Sequence, residues 1–391
     1  MSGYIEKIST REISGWSNIG PMEVVINGKV CGAPVTTGVR QDCIDAGYPN
    51  ARGVYFRPTR YLVSGDNHIV VRECSSLAAL GNGDQIVTYD PLATIDAHWS
   101  TQYAGADYVK SRWWQCEQIV KHVNRRICGE PVGDILTGLH RWIKQVYGER
   151  LPLQKGVSVG CGQGQTELQL LQAGMVQEFD LYELSSFAVV TGQAQAEAKG
   201  LGSRANYHQG DAFAVCDRAN HYDLVLWQQA LHHMPDVDAA LAWTRSVLRP
   251  GGLVVLHEYV GPTRFQFRQG VLDVNTEWRR SLPAKYLANP RDSATTIPIE
   301  VVNPDLDELI FTDPSEGMDS ARILPCLWKY FPDARVRLTG GLVYHLGLND
   351  VLHNLMADGA TELIDQALAL DDAFIEVGET QYAVAIAAKQ D

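Results

Sequence analysis

The sequence lacks any surplus of positive charge. It has 33 lysine and arginine residues against 46 aspartate and glutamate residues, which gives a formal net charge of −13. Nucleic acids and anionic membrane surfaces recruit basic surfaces. The chain has no lysine- or arginine-rich run, and Arg125-Arg126 and Arg279-Arg280 are only pairs. We therefore expect no nucleic-acid partner and no binding to an anionic membrane surface.

The chain also lacks paired cysteines and long apolar runs. Its eight cysteines are scattered from Cys31 to Cys326 without a C-x-x-C pair, so we expect no zinc site and no other metal. Such a scatter suits a reduced compartment better than a disulfide framework. No apolar run approaches the ~20 residues that span a bilayer, and the first residues contain no apolar signal region. We expect a soluble cytoplasmic protein with no membrane span.

The most informative stretch that is present runs from Lys155 to Glu183. Val157 and Val159 suit a buried parallel strand. The glycines that follow, at positions 160, 162 and 164, leave room for a tight turn and for close approach of a ligand. The next residues have leucines at the spacing of a helix that packs on a sheet, and a second strand then ends at Glu183. A βαβ nucleotide site places a carboxylate at about this position, where it binds ribose hydroxyls.

The spacing of these glycines argues against a dinucleotide site. Such a site has the pattern G-x-G-x-x-G, with the third glycine easing a pyrophosphate onto the helix N-terminus. Here the glycines fall as G-x-G-x-G, and Gln165 occupies the position of the third dinucleotide glycine. A dinucleotide-dependent oxidoreductase is therefore a distant alternative.

Four motifs in order resemble those of the class I S-adenosylmethionine-dependent methyltransferases. They are 157–164 (VSVGCGQG), 210–213 (GDAF), 222–234 (YDLVLWQQALHHM) and 248–256 (LRPGGLVVL). The resemblance covers about residues 150–260 and implies an α/β fold, a Rossmann-like doubly wound sheet of seven strands, with S-adenosylmethionine as cofactor. One position departs from the family pattern, because Ser158 stands where an acidic residue often precedes the first glycine. This change puts a contact to the amino-acid end of the cofactor in doubt.

The resemblance also implies which residues bind the cofactor. The glycine turn, with Gly160, Cys161, Gly162 and Gly164, would approach the methionine and ribose portions. Glu183 would accept hydrogen bonds from the ribose and Leu184 would pack on adenine. The acidic turn would contact the adenine through Asp211, Ala212 and Phe213, and the segment after the fourth strand would line the pocket near the sulfonium with Trp227, Gln228 and Gln229.

Candidate catalytic and acceptor-binding residues lie near strand ends and on flanking helices. His232 and His233 follow the fourth strand and Glu258 ends the fifth, so each is a candidate base for an acceptor hydroxyl. Candidates for acceptor contact are Tyr103, Trp113, Arg125, Tyr259, Arg264 and His345. Each has a structural alternative: core packing for the aromatic residues, an ion pair for Arg264, and capping of the neighbouring helix for a histidine.

The segment before the motifs is rich in strand signals. Met22–Ile26 and Lys29–Cys31 flank Asn27-Gly28, a strong hairpin signal. We predict a small all-β sandwich in residues 1–92 that binds or docks a partner. Short pieces such as Ile13-Ser-Gly-Trp16 and Gly53-Val-Tyr-Phe56 resemble a β-sandwich module of some bacterial glycosyltransferases.

The remaining boundaries follow from composition. Residues 91–104 are predicted to be a linker. The domain boundaries place this linker and the N-terminal helices that cover the active site in residues 93–149. The catalytic domain occupies 150–391, with a helical cap inserted at about 261–312. Asp134 is a plausible cap for a helix over 134–147. The pattern Asp313-Pro-Ser-Glu316 predicts the start of another helix.

The sequence therefore predicts O-methylation of a glycan or nucleotide-sugar-type acceptor. The acceptor class comes only from resemblance of 258–266 and 313–316 to a methyltransferase subgroup associated with bacterial surface glycans, which also suggests a glycan-assembly enzyme as partner. Methylation of a natural product at oxygen, nitrogen or carbon stays open, as does a non-catalytic scaffold that binds the cofactor. The acceptor, the methylated atom and the oligomeric state stay undetermined.

Overall fold

The computed structural model describes residues 2–104, 111–216, 218–290, 292 and 294–390. By compactness the chain divides into two units. The first unit contains residues 1–98 and 305–314, and the second contains residues 99–304 and 315–391.

The first unit is built on one eight-stranded sheet, which confirms the predicted all-β region. Its strands are β1 (Gly3–Ile8), β2 (Ile13–Ser17), β3 (Met22–Ile26), β4 (Lys29–Gly32), β5 (Val35–Val39), β6 (Arg52–Phe56), β7 (Gly65–Glu73) and β8 (Ala79–Tyr89), with the short helix α1 (Gln41–Asp45) before β6. The spatial order is β4-β3-β7-β8-β1-β2-β6-β5. Side chains from both halves of the sheet form one core that includes Ile5, Ile13, Val24 and Ile69. The predicted hairpin at Asn27-Gly28 joins β3 to β4.

The segment predicted to be a linker is instead a helix. Helix α2 (Pro91–Ala104) begins directly after Asp90, whose carboxylate accepts hydrogen bonds from the amides of Leu92 and Ala93. Two helices follow, α3 (Glu117–Cys128) and α4 (Ile135–Tyr147). The predicted cap of α4 is confirmed, because the Asp134 side chain accepts a hydrogen bond from the amide of Thr137.

The second unit contains the predicted seven-stranded α/β sheet. Its strands are β9 (Leu153–Val159), β10 (Val176–Glu183), β11 (Ala205–Gln209), β12 (Tyr222–Gln228), β13 (Leu248–Tyr259), β14 (Arg335–Gly340) and β15 (Tyr382–Ala388). The order is β11-β10-β9-β12-β13-β15-β14, and only the pairings of β15 are antiparallel. The carboxyl ends of β9, β10, β12 and β13 therefore meet at one edge, where an open α/β sheet places its site.

Tight packing on both faces of this sheet explains its apolar strands. Val157, Val225 and Val254 are fully buried. Gly156 is required in β9, because a Cβ atom there would overlap the ring of Phe179 on β10. The helices between the parallel strands are α5 (Gln165–Gln172), α6 (Ser186–Ala198), α7 (Ala212–Val215) and α8 (Val237–Val247).

Further helices follow β13. They are α9 (Gln269–Arg280), α10 (Leu306–Thr312), α11 (Ile323–Tyr330), α12 (Leu352–Ala357) and α13 (Thr361–Glu376). The predicted cap was drawn to residue 312, whereas residues 305–314, with α10, group with the first unit. Whether residues 261–304 cover a site stays a prediction.

The helix predicted to start at Asp313 does not form. Residues 314–317 are a turn, and Asp313 ends α10. The described part of the chain contains no helix that is both long and apolar enough to cross a membrane.

Candidate functional site

The glycine turn after β9 has the backbone that only glycine adopts readily. Gly160, Gly162 and Gly164 have φ values of +63°, +56° and +73°. Gly164 is constrained a second time, because a Cβ atom there would overlap the hydroxyl of Tyr207. That hydroxyl donates a hydrogen bond of 2.9 Å to the carbonyl of Gln163 within the same turn. The turn is therefore a fixed cradle at the sheet edge.

Glu183 closes this cradle from the end of β10. Its Oε2 atom accepts a hydrogen bond from the amide of Gly162 at 2.8 Å, and its Oε1 atom accepts one from the amide of Ser185 at 2.9 Å. An ionised carboxylate accepts hydrogen bonds and donates none, so a ligand at this position would have to offer it donors such as hydroxyl groups. Cys161 lies half-buried in the turn, where burial raises the pKa of its thiol. Leu184 is half-buried beside Glu183.

Ser158 stands where the family often has an acid, and a carboxyl group from a different element lies next to it. The hydroxyl of Ser158 donates a hydrogen bond of 2.6 Å to Oε1 of Glu167, which lies in the first turn of α5. Glu167 is fully buried, and burial raises the pKa of its carboxyl to about 7 even though Ser158 favours the ionised form. A carboxyl group is therefore present near the glycine turn after all.

The acidic turn after β11 forms as the motif predicted. The Asp211 carboxylate accepts a hydrogen bond from the amide of Phe213 and caps the short helix α7, while Ala212 is buried. Phe213 is 38% exposed, and its ring contacts the edge of Trp243 at a centroid distance of 5.2 Å. An exposed aromatic face next to Asp211 suits a flat ligand.

Trp227, which the sequence predicts to line the pocket near the sulfonium, is not among the residues that line the cavity described below. Its side chain is fully buried and its indole N–H donates a hydrogen bond of 3.0 Å to Thr244 on α8. Gln228 and Gln229 come next in the chain, and both reach the cavity described below. Gln229 adopts φ = +53°, and its amide and side chain both donate to the carbonyl of His257.

A cavity of about 740 Å³ lies in the second unit at this edge of the sheet. Its aromatic lining comprises Trp99, Trp113, Trp114, Tyr259, Phe265 and Tyr382. Its amide-bearing lining comprises Gln165, Gln169, Gln228 and Gln229, and its titratable lining includes His232, His233, His257, Glu316 and His345. Because Gln165 and Gln169 belong to α5, the cavity reaches the helix that follows the glycine turn.

His232 is held between two carboxylates at one wall of the cavity. Its Nδ1 atom is 2.7 Å from Oε2 of Glu258, and its Nε2 atom is 3.5 Å from Oε1 of Glu316. Burial alone would lower the pKa of His232, but the two carboxylates outweigh burial and raise that pKa to about 10. Burial would raise the pKa of Glu316, but His232 and other nearby histidines lower it to about 2.

Glu258 is completely buried and has no freedom to turn. Its Oε1 atom accepts hydrogen bonds from the amides of Ala230 and Leu231, which precede the histidine pair. The end of β13 therefore fixes both the backbone and the imidazole of the segment after β12. We expect Glu258 to orient His232 rather than to contact a ligand.

The turn with Glu316 is held by contacts with the two histidines and with Arg264. The Ser315 hydroxyl lies 3.0 Å from Nδ1 of His233, and the amide of Met318 donates to the carbonyl of His232. Arg264 donates through its guanidinium to the carbonyl of Glu316 and through its amide to that of Gly317. Arg264 is not among the residues that line the cavity, and its contact with an acceptor stays a prediction.

The other predicted acceptor-binding residues divide between two places. Trp113, Tyr259 and His345 line the cavity, and the Tyr382 hydroxyl lies 2.6 Å from Nδ1 of His345. Arg125 does not: it is exposed on α3 and lines a separate surface groove. The side chain of Tyr103 lies outside the described residues.

Sequence reasoning missed several residues that line the cavity. His257 directly precedes Glu258 on β13, and its place at a strand end was a usable signal. Burial lowers the pKa of His257 to about 4, so its imidazole is neutral at ordinary pH. Glu316 and Tyr382 gave no such signal, because they are brought to the cavity from distant parts of the chain.

The comparison with protein families agrees with this geometry. Residues 157–252 match the model of a methyltransferase domain, which contains the glycine turn, Glu183, the acidic turn and the histidine pair. The second unit thus contains a methyltransferase domain. The match ends before Glu258 and covers neither the first unit nor residues 253–391.

Curated relatives match over about a third of the chain. The chain is 28% identical over 132 residues to the ubiquinone/menaquinone biosynthesis C-methyltransferase UbiE of Dinoroseobacter shibae, which covers 33% of this chain and 53% of that protein. It is 28% identical over 137 residues to the UbiE of Shewanella sp. strain W3-18-1, with 34% and 54% covered. The chain therefore spans about half the length of the relatives it matches.

Solved structures with the same kind of domain are more distant. A sarcosine dimethylglycine methyltransferase from Galdieria sulphuraria is 15% identical with a TM-score of 0.42, covering 76% of this chain and 99% of that one. Phosphoethanolamine N-methyltransferase 2 of Haemonchus contortus, solved with S-adenosyl-L-methionine, is 13% identical with a TM-score of 0.45, covering 99% and 71%.

Proposed function

We propose, from the premise that residues 157–252 form a methyltransferase domain, that this protein transfers a methyl group from S-adenosylmethionine to a hydroxyl oxygen of a glycan or nucleotide-sugar-type acceptor. One observation carries the proposal. The same cavity is lined by Gln165 and Gln169, which follow the glycine turn, and by His232 and His233. The groups that could activate a hydroxyl therefore share a cavity with the helix that directly follows the cofactor cradle.

The residues present fit the cofactor. The positive φ angles of the glycine turn allow the backbone to approach a ligand closely. The carboxylate of Glu183 lies at the glycine turn, bonded to the amide of Gly162, and is a hydrogen-bond acceptor of the kind that ribose hydroxyls require. Phe213 offers a partly exposed ring beside Asp211 for adenine. At the other end of the cofactor, the carboxyl of Glu167 would attract the ammonium group of the amino-acid portion.

When bound, S-adenosylmethionine supplies a methyl group that is activated by attachment to a sulfonium. The protein must hold the acceptor oxygen in line with the carbon–sulfur bond, and this alignment accounts for much of the rate. As the new oxygen–carbon bond forms, the carbon–sulfur bond breaks and the hydroxyl gives up its proton. His232 and His233 line the cavity that we assign to the acceptor, which makes them the candidates to receive that proton.

The two imidazoles differ in their capacity to accept a proton. His232 has a raised pKa of about 10 and is already protonated at neutral pH, so it acts as a hydrogen-bond donor and a fixed positive charge. His233 lies next to it with a ring-centroid distance of 4.1 Å. In this proposal His233 takes the hydroxyl proton, and His232 and Glu258 position it.

The lining of the cavity supports a sugar-like acceptor. Trp99, Trp113 and Trp114 provide aromatic faces, on which the apolar faces of sugars stack. The glutamine side chains provide both hydrogen-bond donors and acceptors, as neighbouring hydroxyl groups require. The first unit would then serve as a docking module for a glycan or for a glycan-assembly enzyme.

A second candidate function is carbon methylation of a small aromatic or quinone-like molecule. The relatives named above carry the description of C-methyltransferases, and an aromatic wall with Trp113 and Tyr259 also suits a flat acceptor. A non-catalytic scaffold is the alternative of another class.

Calorimetry of S-adenosylmethionine binding is the test. We expect micromolar binding that Glu183→Ala and Asp211→Ala each weaken by tenfold or more, about 1.4 kcal/mol. The control is Asp273→Ala, an exposed acid on α9. No binding by a folded wild type would reject the enzymatic proposal. If binding is found, turnover on a panel of sugar, phenol and quinone acceptors separates the two candidate functions.

A further inference from the structure

We propose that His232, His233 and Glu316 bind a divalent transition-metal ion at the wall of the cavity. Each of the three residues offers a ligand atom, and these atoms all lie within 4.8 Å of one another. Two imidazoles and one carboxylate form a donor set that occurs in catalytic zinc sites, which keep one further position open. The cysteine pattern gave no sign of this site, because none of its ligands is a cysteine.

The distance between two of the donors suits an ion of this size. Nε2 of His232 and Oε1 of Glu316 are 3.5 Å apart. Metal–nitrogen and metal–oxygen bonds of about 2.0–2.1 Å at a tetrahedral angle place two ligand atoms about 3.3–3.4 Å apart. The ion would therefore fit between these two atoms with little movement of either side chain.

The surroundings of the imidazoles match those of metal-binding histidines. In metal sites the second ring nitrogen of a histidine is normally held by a carboxylate or another oxygen, which fixes the ring. Here Glu258 holds Nδ1 of His232 at 2.7 Å, and the Ser315 hydroxyl lies 3.0 Å from Nδ1 of His233. Glu258 is itself fixed by two backbone amides.

Charge supports the same conclusion. Glu258 and Glu316 bring two carboxylates to a largely buried place on either side of His232. Buried carboxylates need a compensating positive charge. A divalent ion between His232 and Glu316 would supply it.

The open position faces the acceptor, and here the inference rests on the proposed function. The three donors line the cavity that we assign to the acceptor. A hydroxyl that binds to the ion through its oxygen loses its proton to water more readily, because the ion stabilises the alkoxide. In that case the ion activates the acceptor, and His233 acts as a ligand rather than as a base.

Zinc titration of the full chain, freed of metal by a chelator, tests the site. We expect one ion per chain, with affinity at least tenfold lower in His233→Ala and in Glu316→Gln. Glu258→Gln should weaken binding by about 10–100-fold through the orientation of His232. The matched control is His68→Ala, which removes an exposed histidine 2.6 Å from a carboxylate, Asp84, in the first unit.

Two further measurements keep the outcome unambiguous. Circular dichroism shows whether each variant is folded, and the visible absorption of bound Co²⁺ shows whether the ion has a tetrahedral environment that His233→Ala abolishes. Equal zinc affinity in wild type, His233→Ala and Glu316→Gln would overturn the proposal. A wild type that binds S-adenosylmethionine but no zinc would reject the metal site alone, whereas zinc binding without cofactor binding would reject the proposed function alone.

Discussion

The hydroxyl of Ser158 donates a hydrogen bond of 2.6 Å to the carboxyl of Glu167, and both side chains are about 1% exposed. Ser158 occupies the position that is often acidic in class I methyltransferases. Here the carboxyl comes from the first turn of α5 instead, nine residues later. The exchange places an acid in the same region, but in a more buried setting that raises its pKa to about 7.

This raised pKa predicts a pH-dependent stability. The folded-state pKa of Glu167 lies above the ordinary glutamate value of 4.5, so the folded protein binds the proton more tightly than the unfolded chain does. The resulting stabilisation is fully present below pH 4.5 and is lost as the pH rises through 7. We expect the wild type to lose up to about 3 kcal/mol relative to Glu167→Gln across this window. Urea unfolding at several pH values, followed by tryptophan fluorescence, measures the difference.

Glu167→Gln is the matched variant because it keeps the shape and removes the titration. Glu167→Ala should be less stable than Glu167→Gln at every pH, since it also leaves the hydroxyl of Ser158 without its acceptor. Parallel stability curves for wild type and Glu167→Gln between pH 4.5 and 8 would contradict the assignment.

Substitution of Gly164 should damage the glycine turn more than substitution at a comparable glycine. Gly164 and Gly174 both have positive φ, +73° and +64°. A Cβ at Gly174 meets open space, whereas a Cβ at Gly164 overlaps the hydroxyl of Tyr207. We expect Gly174→Ala to cost about 1–2 kcal/mol, the ordinary strain of the left-handed region, and Gly164→Ala to cost clearly more.

Thermal unfolding and S-adenosylmethionine binding measure the two effects of Gly164→Ala. Adding Tyr207→Phe removes the overlapping hydroxyl, so the double variant should recover part of the lost stability. Equal losses in Gly164→Ala and Gly174→Ala would show that the tyrosine does not constrain the turn.

The parts of the fold that were predictable are those encoded by neighbouring residues. The strand with Val157 and Val159, the glycine turn and the acid at Glu183 lie within one βαβ unit, so their spacing alone specifies the arrangement. The hairpin at Asn27-Gly28 is equally local. Helix α2 was also encoded, by Asp90 as cap and Pro91 in the first turn, but the segment was interpreted as a linker.

The parts that were not predictable depend on tertiary contacts. Asp313-Pro-Ser-Glu316 satisfies a local pattern for a helix start, yet the segment forms a turn. The carbonyl of Glu316 accepts a hydrogen bond from Arg264, and the amide of Met318, just beyond the segment, donates one to the carbonyl of His232. Trp227 lies in a strand that is buried on both faces, so alternation gave no sign of which face meets the cavity. Glu316 reaches His232 across 84 residues of sequence, a distance over which no spacing rule holds.

Asp371 should be important for stability and for the position of His345. Its carboxylate accepts hydrogen bonds from the amides of Gly341, Val343 and Tyr344, in the segment that precedes His345. We expect Asp371→Ala to destabilise the protein by several kcal/mol, because it leaves three buried amides without an acceptor at about 1–3 kcal/mol each. Denaturant unfolding measures the loss.

The conservative variant Asp371→Asn tests how much of the lost stability comes from the hydrogen bonds that Asp371 accepts. Asp371→Asn keeps one carbonyl acceptor and should lose less stability than Asp371→Ala. The control is Asp333→Ala, which removes a carboxylate whose described side-chain hydrogen bond, to Gln390, is exposed. A loss in Asp371→Ala no larger than in this control would contradict the expected role of the buried carboxylate.

The contacts of Phe311 indicate how residues 305–314 are held in the first unit. Its ring lies 4.5 Å from the guanidinium of Arg11 and 5.0 Å from that of Arg57. Arg11 also donates a hydrogen bond of 3.0 Å to the carbonyl of Phe311, and Arg57 pairs with Glu308. Each cation–π contact at a partly exposed ring contributes about 0.5–1 kcal/mol, so Phe311→Ala should lower the stability of the first unit by about 1–2 kcal/mol.

Calorimetric unfolding and limited proteolysis within residues 305–314 measure this effect. Phe311→Leu keeps an apolar side chain without the aromatic face and should lie between wild type and Phe311→Ala. Phe187→Ala is the control, since Phe187 is a phenylalanine of the second unit that is 40% exposed. If Phe311→Leu matches the wild type, apolar contact holds the segment and the cation–π contacts with the two arginines do not. If Phe311→Ala also matches the wild type, the ring of Phe311 contributes nothing. The hydrogen bond from Arg11 to the backbone and the ion pair of Arg57 with Glu308 are then sufficient to hold the segment.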